Sequence, residues 1–274
     1  MSRSRMWFVV AVAALMLAAP AVAGPTGQYV LTAGDQHTDW VVQGAGVNAT
    51  WTTTNSEYPL IVLGTVRATS PSPGGVGGGY TLAGVPTGAT YTNGLGEDMY
   101  DAATDGANIY VINWTTGDLT RLDLTWSNPQ VLFHPGAGGS ALAITYDPTN
   151  NSLWIGGWTT GTIANYSLTG TLLSSFTVPY TELTCLAMDY TDNTLWFGSQ
   201  ATLGTFHQYS RTGTPLGTQV YPALVGQNTL GGEFPYPATP AGDVPALGTA
   251  GVAALVLLVG ALGLLAVARM RTVL

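Results

Sequence analysis

Lysine is absent from this sequence, cysteine occurs once and charge is scarce. Charged residues make up 8% of the 274 positions, and the seven basic ones are all arginine, against fifteen acidic residues. The resulting net charge of −8 argues against nucleic-acid binding. Because Cys185 is the only cysteine, no intrachain disulfide can form. The sequence also lacks a Gly-x-Ser-x-Gly nucleophile elbow, a phosphate-binding loop and a dinucleotide-binding glycine motif, so these three enzyme signatures are absent.

The residues that are present favour a β-rich, packed fold. Hydrophobic residues reach 46%, with eight Trp and thirteen Tyr, so the chain can build a core. Glycine occurs 36 times and proline 16 times, without the three-residue period of collagen. In the absence of lysine, exposed positions are filled mostly by Thr, Ser, Asn and Gly. These residues are typical of strands and turns rather than helices.

Residues 1–23 are predicted to be a secretory signal peptide. Arg3 and Arg5 form the basic start, an apolar run of eleven residues follows, and residues 21–23 (Ala-Val-Ala) match the small-x-small cleavage pattern. The mature chain would then begin near Gly24. The sequence therefore predicts an exported protein.

A second apolar run, residues 244–268, carries no charge and is followed by Arg269 and Arg271. About 20 apolar residues cross the bilayer core as a helix. The positive-inside rule keeps the two arginines cytoplasmic and places the body of the protein outside. We therefore expect one C-terminal transmembrane helix within residues 244–274. Between the two ends, segment 24–243 holds three arginines and all fifteen acidic residues, a formal charge of −12.

This C-terminal tail resembles the PEP-CTERM/IPTL-CTERM class of bacterial sorting tails in its motif Val244-Pro245-Ala246-Leu247, its apolar helix and its basic residues Arg269 and Arg271. The resemblance implies recognition by an exosortase-type membrane protease at the inner membrane. It also implies removal of the helix and display at the cell surface or in extracellular matrix. The motif departs from the usual Ile-Pro-Thr-Leu or Val-Pro-Glu-Pro, so a plain C-terminal membrane anchor is the alternative.

Three stretches of the segment between the two ends repeat one another. Each has a strand pattern, a polar turn and an apolar-aromatic pair that opens a second strand. The aromatic residues are Tyr110, Trp154 and Trp196, with spacings of 44 and 42 residues. The sequence Trp-Thr-Thr-Gly at 114–117 recurs at 158–161. A period of roughly 40–50 residues with several short strands per unit is typical of β-propeller blades.

These repeats resemble generic YVTN/NHL-type propeller blades, which implies an architecture and no activity. We expect an all-β, β-propeller-like domain over residues 24–225 with about five blades, three clear and two degenerate. A Gly/Pro/Thr-rich spacer is predicted over 226–243, and a flexible loop or linker over 70–79. Because residues 24–95 show no clear repeat, a partial ring or a separate N-terminal β-domain is the second possibility. A β-sandwich is the third.

Four carboxylates within nine residues form the candidate metal site: Glu97, Asp98, Asp101 and Asp105. Ca²⁺ takes six to eight oxygen ligands in proteins. The spacing of these residues does not fit a dedicated calcium loop, and Asp105-Gly106 is better explained as a tight turn between strands. We therefore expect no cofactor, with Ca²⁺ as the alternative.

Four tryptophans in or next to predicted turns are the candidate ligand-binding residues: Trp51, Trp114, Trp126 and Trp158. Exposed aromatic rings stack on sugars or anchor protein partners, so exopolysaccharide and surface proteins are the expected partners. Trp154 and Trp196 repeat in phase with the apolar pattern and are predicted to lie in the core. Cys185 is predicted to be a small buried residue.

The sequence thus predicts an exported, surface- or matrix-displayed protein that acts as a non-catalytic binding or structural module. The alternative is an extracellular propeller-type hydrolase or lyase with its site at the channel mouth. That alternative requires Asp101, Asp105, His134 and Asp189 to lie around one cleft. An open rim of aromatic side chains with scattered carboxylates would instead favour binding.

Overall fold

The computed structural model describes residues 24–136 and 140–237, which form five four-stranded antiparallel sheets. This is a five-bladed β-propeller, so the predicted all-β fold and blade number are confirmed. The predicted signal peptide (1–23), sorting motif and C-terminal helix (244–274) lie outside the described residues. Among the described residues, no helix is long and apolar enough to cross a membrane.

The strands of each blade follow one another from the centre of the ring outwards. Blade 1 contains β1 (Tyr29–Ala33), β2 (Thr38–Gln43) and β3 (Gly46–Thr52), and β20 (Gly231–Glu233) completes its inner edge. Blade 2 contains β4 (Leu60–Leu63), β5 (Thr65–Ala68), β6 (Val76–Tyr80) and β7 (Pro86–Thr92). Blade 3 contains β8 (Ala102–Thr104), β9 (Asn108–Ile112), β10 (Leu119–Asp123) and β11 (Gln130–Phe133). Blade 4 contains β12 (Ala141–Asp147), β13 (Ser152–Gly157), β14 (Thr162–Ser167) and β15 (Leu172–Thr177). Blade 5 contains β16 (Leu183–Asp189), β17 (Thr194–Ser199), β18 (Thr205–Tyr209) and β19 (Pro215–Val220).

Residues 24–95, in which the sequence shows no clear repeat, form most of blade 1 and all of blade 2. The prediction of a flexible loop or linker over 70–79 is wrong for its second half, where most of β6 lies, whereas residues 70–75 belong to the loop between β5 and β6. The glycine-rich composition of this strand has a steric reason. A Cβ atom on Gly77 would lie 2.5 Å from the carbonyl oxygen of Ala68 on the neighbouring strand, so only glycine allows the two backbones to approach.

The predicted boundary of the propeller at residue 225, with a spacer over 226–243, is also wrong. Strand β20 lies within that spacer and pairs antiparallel with β1, with Val30 opposite Glu233. The last strand therefore closes the ring by joining the first blade. Gly231 makes this possible, since a Cβ atom there would lie 1.8 Å from the carbonyl oxygen of Tyr58.

Apolar side chains fill the space between neighbouring blades. Trp154 and Trp196 lie in these interblade clusters, each about 1% exposed or less, which confirms the prediction that they belong to the core. Cys185 is fully buried as predicted, and burial raises the pKa of its thiol to about 11. A buried, protonated thiol is inert, so Cys185 is a packing residue.

The ring has two faces that differ in what they carry. The face that we call the pocket face holds the loops between second and third strands and the loops that lead from one blade to the next. The opposite face, the exit face, holds both ends of the described chain. There Gly27 donates its N–H to Asp189 Oδ2 at 2.7 Å, and Tyr236 packs against Tyr146 and Tyr190. Chain entry and chain exit therefore lie on the side away from the pocket face.

Candidate functional site

A cavity of about 290 Å³ opens on the pocket face, above the inner ends of the blades. Loops from several blades form its walls, and the buried side chains of Leu142 and Leu230 lie at its base. Its volume is at the lower end of the usual ~300–1,000 Å³ for ligand pockets. The cavity is therefore suited to a small ligand or to one group of a larger one.

Four aromatic rings line this cavity in a continuous series. Tyr58 and Tyr100 have ring centroids 5.8 Å apart, Tyr100 and Trp114 lie 5.6 Å apart, and Trp114 and Trp158 lie 5.6 Å apart. Each neighbouring pair meets edge to face, at 67°, 89° and 84°. Such contacts are favourable for aromatic pairs and hold the rings in place before a ligand arrives.

Backbone hydrogen bonds fix the two tryptophan loops. Trp114 donates its N–H to the carbonyl of Asp98 at 2.9 Å. Trp158 donates to Ser140 and accepts from Glu182, at 2.6 Å in both cases. Trp114 is thus tied to the loop that enters its own blade, blade 3, and Trp158 is tied to the loops that enter blades 4 and 5.

Polar groups occupy the side of the cavity opposite the tryptophans. The Asp35 carboxylate accepts from the side-chain amide of Asn228 at 3.0 Å, and the Asp35 N–H donates to the Tyr58 hydroxyl at 3.1 Å. Burial, with the nearby Asp35 charge, raises the pKa of Tyr58, so its hydroxyl stays protonated at neutral pH. One charged and several neutral polar groups therefore face four aromatic rings.

Beneath the cavity, Asp101 joins four blades through its carboxylate. Oδ1 accepts N–H groups from Ala102 and Gly232, both at 3.1 Å. Oδ2 accepts from Ile144 at 2.9 Å and Leu186 at 3.1 Å. These amides belong to the innermost strands, whose inner edges have no further strand to pair with. The carboxylate supplies the acceptors that four buried N–H groups need. Burial raises the pKa of Asp101, whereas the four donors favour its ionised form.

The four carboxylates of the alternative Ca²⁺ site, Glu97, Asp98, Asp101 and Asp105, do not share one location. Asp101 is buried in the centre of the ring, whereas Asp105 accepts from Ala107 and Asn108 in a turn of the exit face. Glu97 and Asp98 lie in the loop between blades 2 and 3 on the pocket face. Within residues 24–136 and 140–237, no group of three or more His, Cys, Asp or Glu side chains is arranged to hold a metal ion.

The four candidate tryptophans divide into two pairs. Trp114 and Trp158 line the cavity. Trp51 lies between blades 1 and 2, with its ring 5.5 Å from that of Tyr80. Trp126 was expected on an exposed turn but is 0% exposed, because its backbone takes φ +63° and turns the ring into the cluster between blades 2 and 3. Its ring therefore has no surface to offer a ligand.

The residues of the catalytic alternative are also separated. His134 Nδ1 lies 3.1 Å from Asp118 Oδ1 on the pocket face, in a second depression beside Trp114. Asp189 lies on the exit face, bound to the N–H of Gly27. Asp101 is enclosed in the ring centre. These side chains do not line one cleft.

A pair of buried carboxyl groups lies between blades 1 and 2. Asp39 and Glu57 are each 1% exposed, and neither oxygen of Asp39 has a hydrogen-bond partner among the described residues. Glu57 accepts from the Tyr80 hydroxyl at 3.0 Å. Burial and the neighbouring Glu57 raise the pKa of Asp39 well above its ordinary value, and burial raises the pKa of Glu57 to about 7.

This pair predicts that the propeller is more stable in mild acid than at neutral pH. In the unfolded chain Glu57 releases its proton near pH 4.3, but in the folded chain near pH 7, so the folded state holds more protons in between. The free energy of unfolding should therefore fall as the pH rises from about 4.5 to 7, by up to ~1.4 kcal/mol per pH unit for each such group. Urea unfolding of the wild type and of Glu57→Gln across this range measures it. The variant should show a shallower slope, and equal slopes would contradict the assignment.

Sequence reasoning missed Asp35, Tyr58, Tyr100 and Asn228 as cavity residues. Trp114 and Trp158 were found because they lie in predicted turns, each at the start of a Trp-Thr-Thr-Gly sequence. The missed residues come from loops of unlike sequence, and only the closure of the ring brings them together. One usable signal was position, since Tyr58 and Tyr100 each stand two residues before an innermost strand, at Leu60 and Ala102.

No family model matches the sequence, and no curated protein matches it. Solved structures resemble its fold. A crystal structure of a nidogen/laminin complex has a chain that is 12% identical with a TM-score of 0.52, and the match covers 76% of this chain and 98% of that one. Virginiamycin B lyase from Staphylococcus aureus is 17% identical with a TM-score of 0.44, over 72% and 71% of the two chains. Glutaminyl cyclase from Myxococcus xanthus is 18% identical with a TM-score of 0.47, over 61% and 72%. At such low identity the nidogen/laminin match supports the propeller fold and nothing finer.

Proposed function

We propose that this protein is a non-catalytic binding module that holds a small ligand, or one group of a larger ligand, in the cavity of the pocket face. The observation that carries the proposal is the unbroken series of rings from Tyr58 to Trp158, set opposite the polar groups of Asp35 and Asn228. A concave, mostly apolar site with a few convergent polar groups is the usual form of a small-molecule binding site.

The catalytic alternative, an extracellular propeller-type hydrolase or lyase, has less support. General acid–base catalysis requires a titratable side chain within hydrogen-bond reach of the proton that it transfers, and this alternative requires several such side chains around one cleft. His134, Asp101 and Asp189 lie in three different parts of the ring. The carboxylates of the pocket face are scattered around an aromatic rim, which is the arrangement that favours binding.

We propose further that the module is exported and displayed outside the cell. The signal-like residues 1–23 and the sorting-type tail 244–274 support this, and the described chain ends at Pro237 on the exit face. A tether from that face would leave the cavity turned away from the membrane. Mass spectrometry of the mature protein from the producing cells tests the processing. A C-terminus near residue 244 is expected, and an intact Leu274 would contradict cleavage and leave a plain anchor.

Removing both cavity tryptophans should abolish ligand binding without unfolding the ring. We expect the double variant Trp114→Ala/Trp158→Ala to bind the ligand at least tenfold more weakly. Each indole ring supplies apolar contact area that the bound ligand shields from water, and both areas are lost. The measurement is ligand-detected NMR with a mixture of oligosaccharides and small organic solutes. Leu172→Ala is the matched control, since Leu172 is an exposed apolar residue on the outer strand β15.

The control should bind like the wild type and melt within a few degrees of it. If the double variant stays folded and binds the same solutes with unchanged affinity, the cavity is not the binding site.

A further inference from the structure

The loops of the pocket face carry carboxylates but no arginine among the described residues, Asp35 lines the cavity itself, and His134 pairs with Asp118. The loops of the pocket face carry the side chains of Asp35, Glu97, Asp98, Asp118 and Glu182. In residues 24–136 and 140–237, the arginines lie elsewhere: Arg67 within β5, Arg121 within β10, and Arg211 in the exit-face turn between β18 and β19. A concave site with charge of one sign concentrates solutes of the opposite sign.

This negative charge acts on the cavity wall itself. Burial raises the pKa of Tyr100, and the charges of Asp98 and Asp35 raise it further. Asp35 also lies on the rim, where its carboxylate is exposed and held by Asn228. A cation in the cavity would therefore meet the Asp35 carboxylate at the rim, and the charge of Asp98 near Tyr100 would add to the attraction.

The arrangement of the rings selects among ligand shapes. Neighbouring rings meet at 67°, 89° and 84°, so they form the walls of a corner and not one flat platform. A sugar ring stacks on a flat aromatic face. A compact, round group with charge spread over its surface instead fits a corner in which it meets several rings at once, as in the aromatic cages that hold quaternary ammonium groups.

We infer that the pocket-face cavity binds a small organic cation through a methylated ammonium group, with Tyr58, Tyr100, Trp114 and Trp158 as the aromatic walls and Asp35 as the counter-charge. This inference rests on the proposed function and names the class of ligand for the same site. Cation–π attraction and the carboxylate both act on the charge of the ligand, and the rings also hold its methyl groups.

A matched pair of probes separates charge from shape. Choline and 3,3-dimethylbutan-1-ol have the same shape, but the second has a carbon atom in place of the charged nitrogen. Titration of residues 24–237, which contain the twenty strands of the five blades, with each probe by calorimetry gives the two affinities. We expect choline to bind at least tenfold more tightly than the neutral alcohol. We also expect its binding to weaken as salt is added, because the rim charge is exposed.

Two charge variants locate the effect. Asp35→Asn keeps the size and the backbone N–H of residue 35, and should weaken choline binding severalfold while leaving the affinity for the neutral alcohol unchanged. Asp192→Asn removes the same charge from the exit face and should change neither affinity. Thermal melts of both variants establish that they are folded.

The outcomes distinguish this inference from the proposed function. Equal affinity for the two probes, or an Asp35→Asn variant that binds choline unchanged, would overturn the choice of a cation. If oligosaccharides bind in a manner sensitive to Trp114→Ala and Trp158→Ala while choline does not bind, the cation is wrong and the binding module stands. If no probe of either kind binds, both proposals fail.

Discussion

Replacing Asp101 by alanine should destabilise the propeller by about 4 kcal/mol or more. The substitution leaves four buried N–H groups without acceptors, on Ala102, Ile144, Leu186 and Gly232. Each unsatisfied buried donor costs about 1–3 kcal/mol. Since the whole free energy of unfolding of a domain is usually about 5–15 kcal/mol, the variant should be poorly folded at 37 °C.

Urea unfolding of residues 24–237 measures this effect. Asp98→Ala is the control, three positions away on the pocket face, and should stay within about 0.5 kcal/mol of the wild type. The free energy of unfolding of Asp101→Asn should lie between those of Asp101→Ala and Asp98→Ala. The amide oxygen of the asparagine still accepts from two of the N–H groups, whereas its NH₂ group faces the other two. An Asp101→Ala protein within 1 kcal/mol of the wild type would show that the carboxylate does not hold the innermost strands together.

A chain that ends at Gly226 should fail to form the closed ring, whereas a chain that ends at Pro237 should fold like the longer protein. The shorter chain lacks β20, so β1 loses its inner partner strand and Asp101 loses one of its four donors. It also loses Phe234, whose ring stacks on Tyr29 at 4.6 Å. Circular dichroism and size-exclusion chromatography of the two chains compare their folding.

A point substitution tests the same closure without shortening the chain. Gly231→Val would place a Cβ atom 1.8 Å from the carbonyl oxygen of Tyr58, so β20 could not keep its position. Gly46→Ala is the control, since the added methyl group would make only ordinary contacts, of 3.7 Å or more. If Gly231→Val melts at the same temperature as Gly46→Ala, ring closure by β20 contributes nothing to stability.

Most of the fold could be predicted from the sequence repeat, because strands and turns follow from the local pattern of apolar, aromatic and turn residues. The repeat that contains Trp154 predicts two strands joined by a polar turn, and the structure has them at Ala141–Asp147 and Ser152–Gly157. The sequence did not predict strands β6 and β20, because a glycine-rich composition is typical of linkers. In both strands a neighbouring backbone comes so close that a side chain would not fit, and this requires glycine. For β20 the neighbouring backbone, at Tyr58 and in β1, lies 170 or more positions away in the sequence. No local pattern reports such a contact.

The residues of the candidate site also divide into those that local sequence predicts and those that depend on contacts between distant parts of the chain. Trp114 and Trp158 could be predicted from a motif repeated every 44 residues. Asp101 was singled out for its charge, but its position at the ring centre depends on amides from three other blades. Asp35 and Asn228 are 193 positions apart and meet only because β20 brings the end of the domain beside its beginning.

The indole N–H spectrum of residues 24–237 labelled with ¹⁵N-tryptophan tests the central claim, which is that the pocket-face cavity binds the ligand. This segment contains seven tryptophans, and those at positions 126, 154 and 196 are buried in the interblade core and act as internal references. On addition of choline or an oligosaccharide mixture, we predict that the signals of Trp114 and Trp158 shift in proportion to ligand bound while the three buried signals stay in place. Shifts confined to Trp51 or Trp40, or no shift with any ligand up to millimolar concentration, would contradict the account.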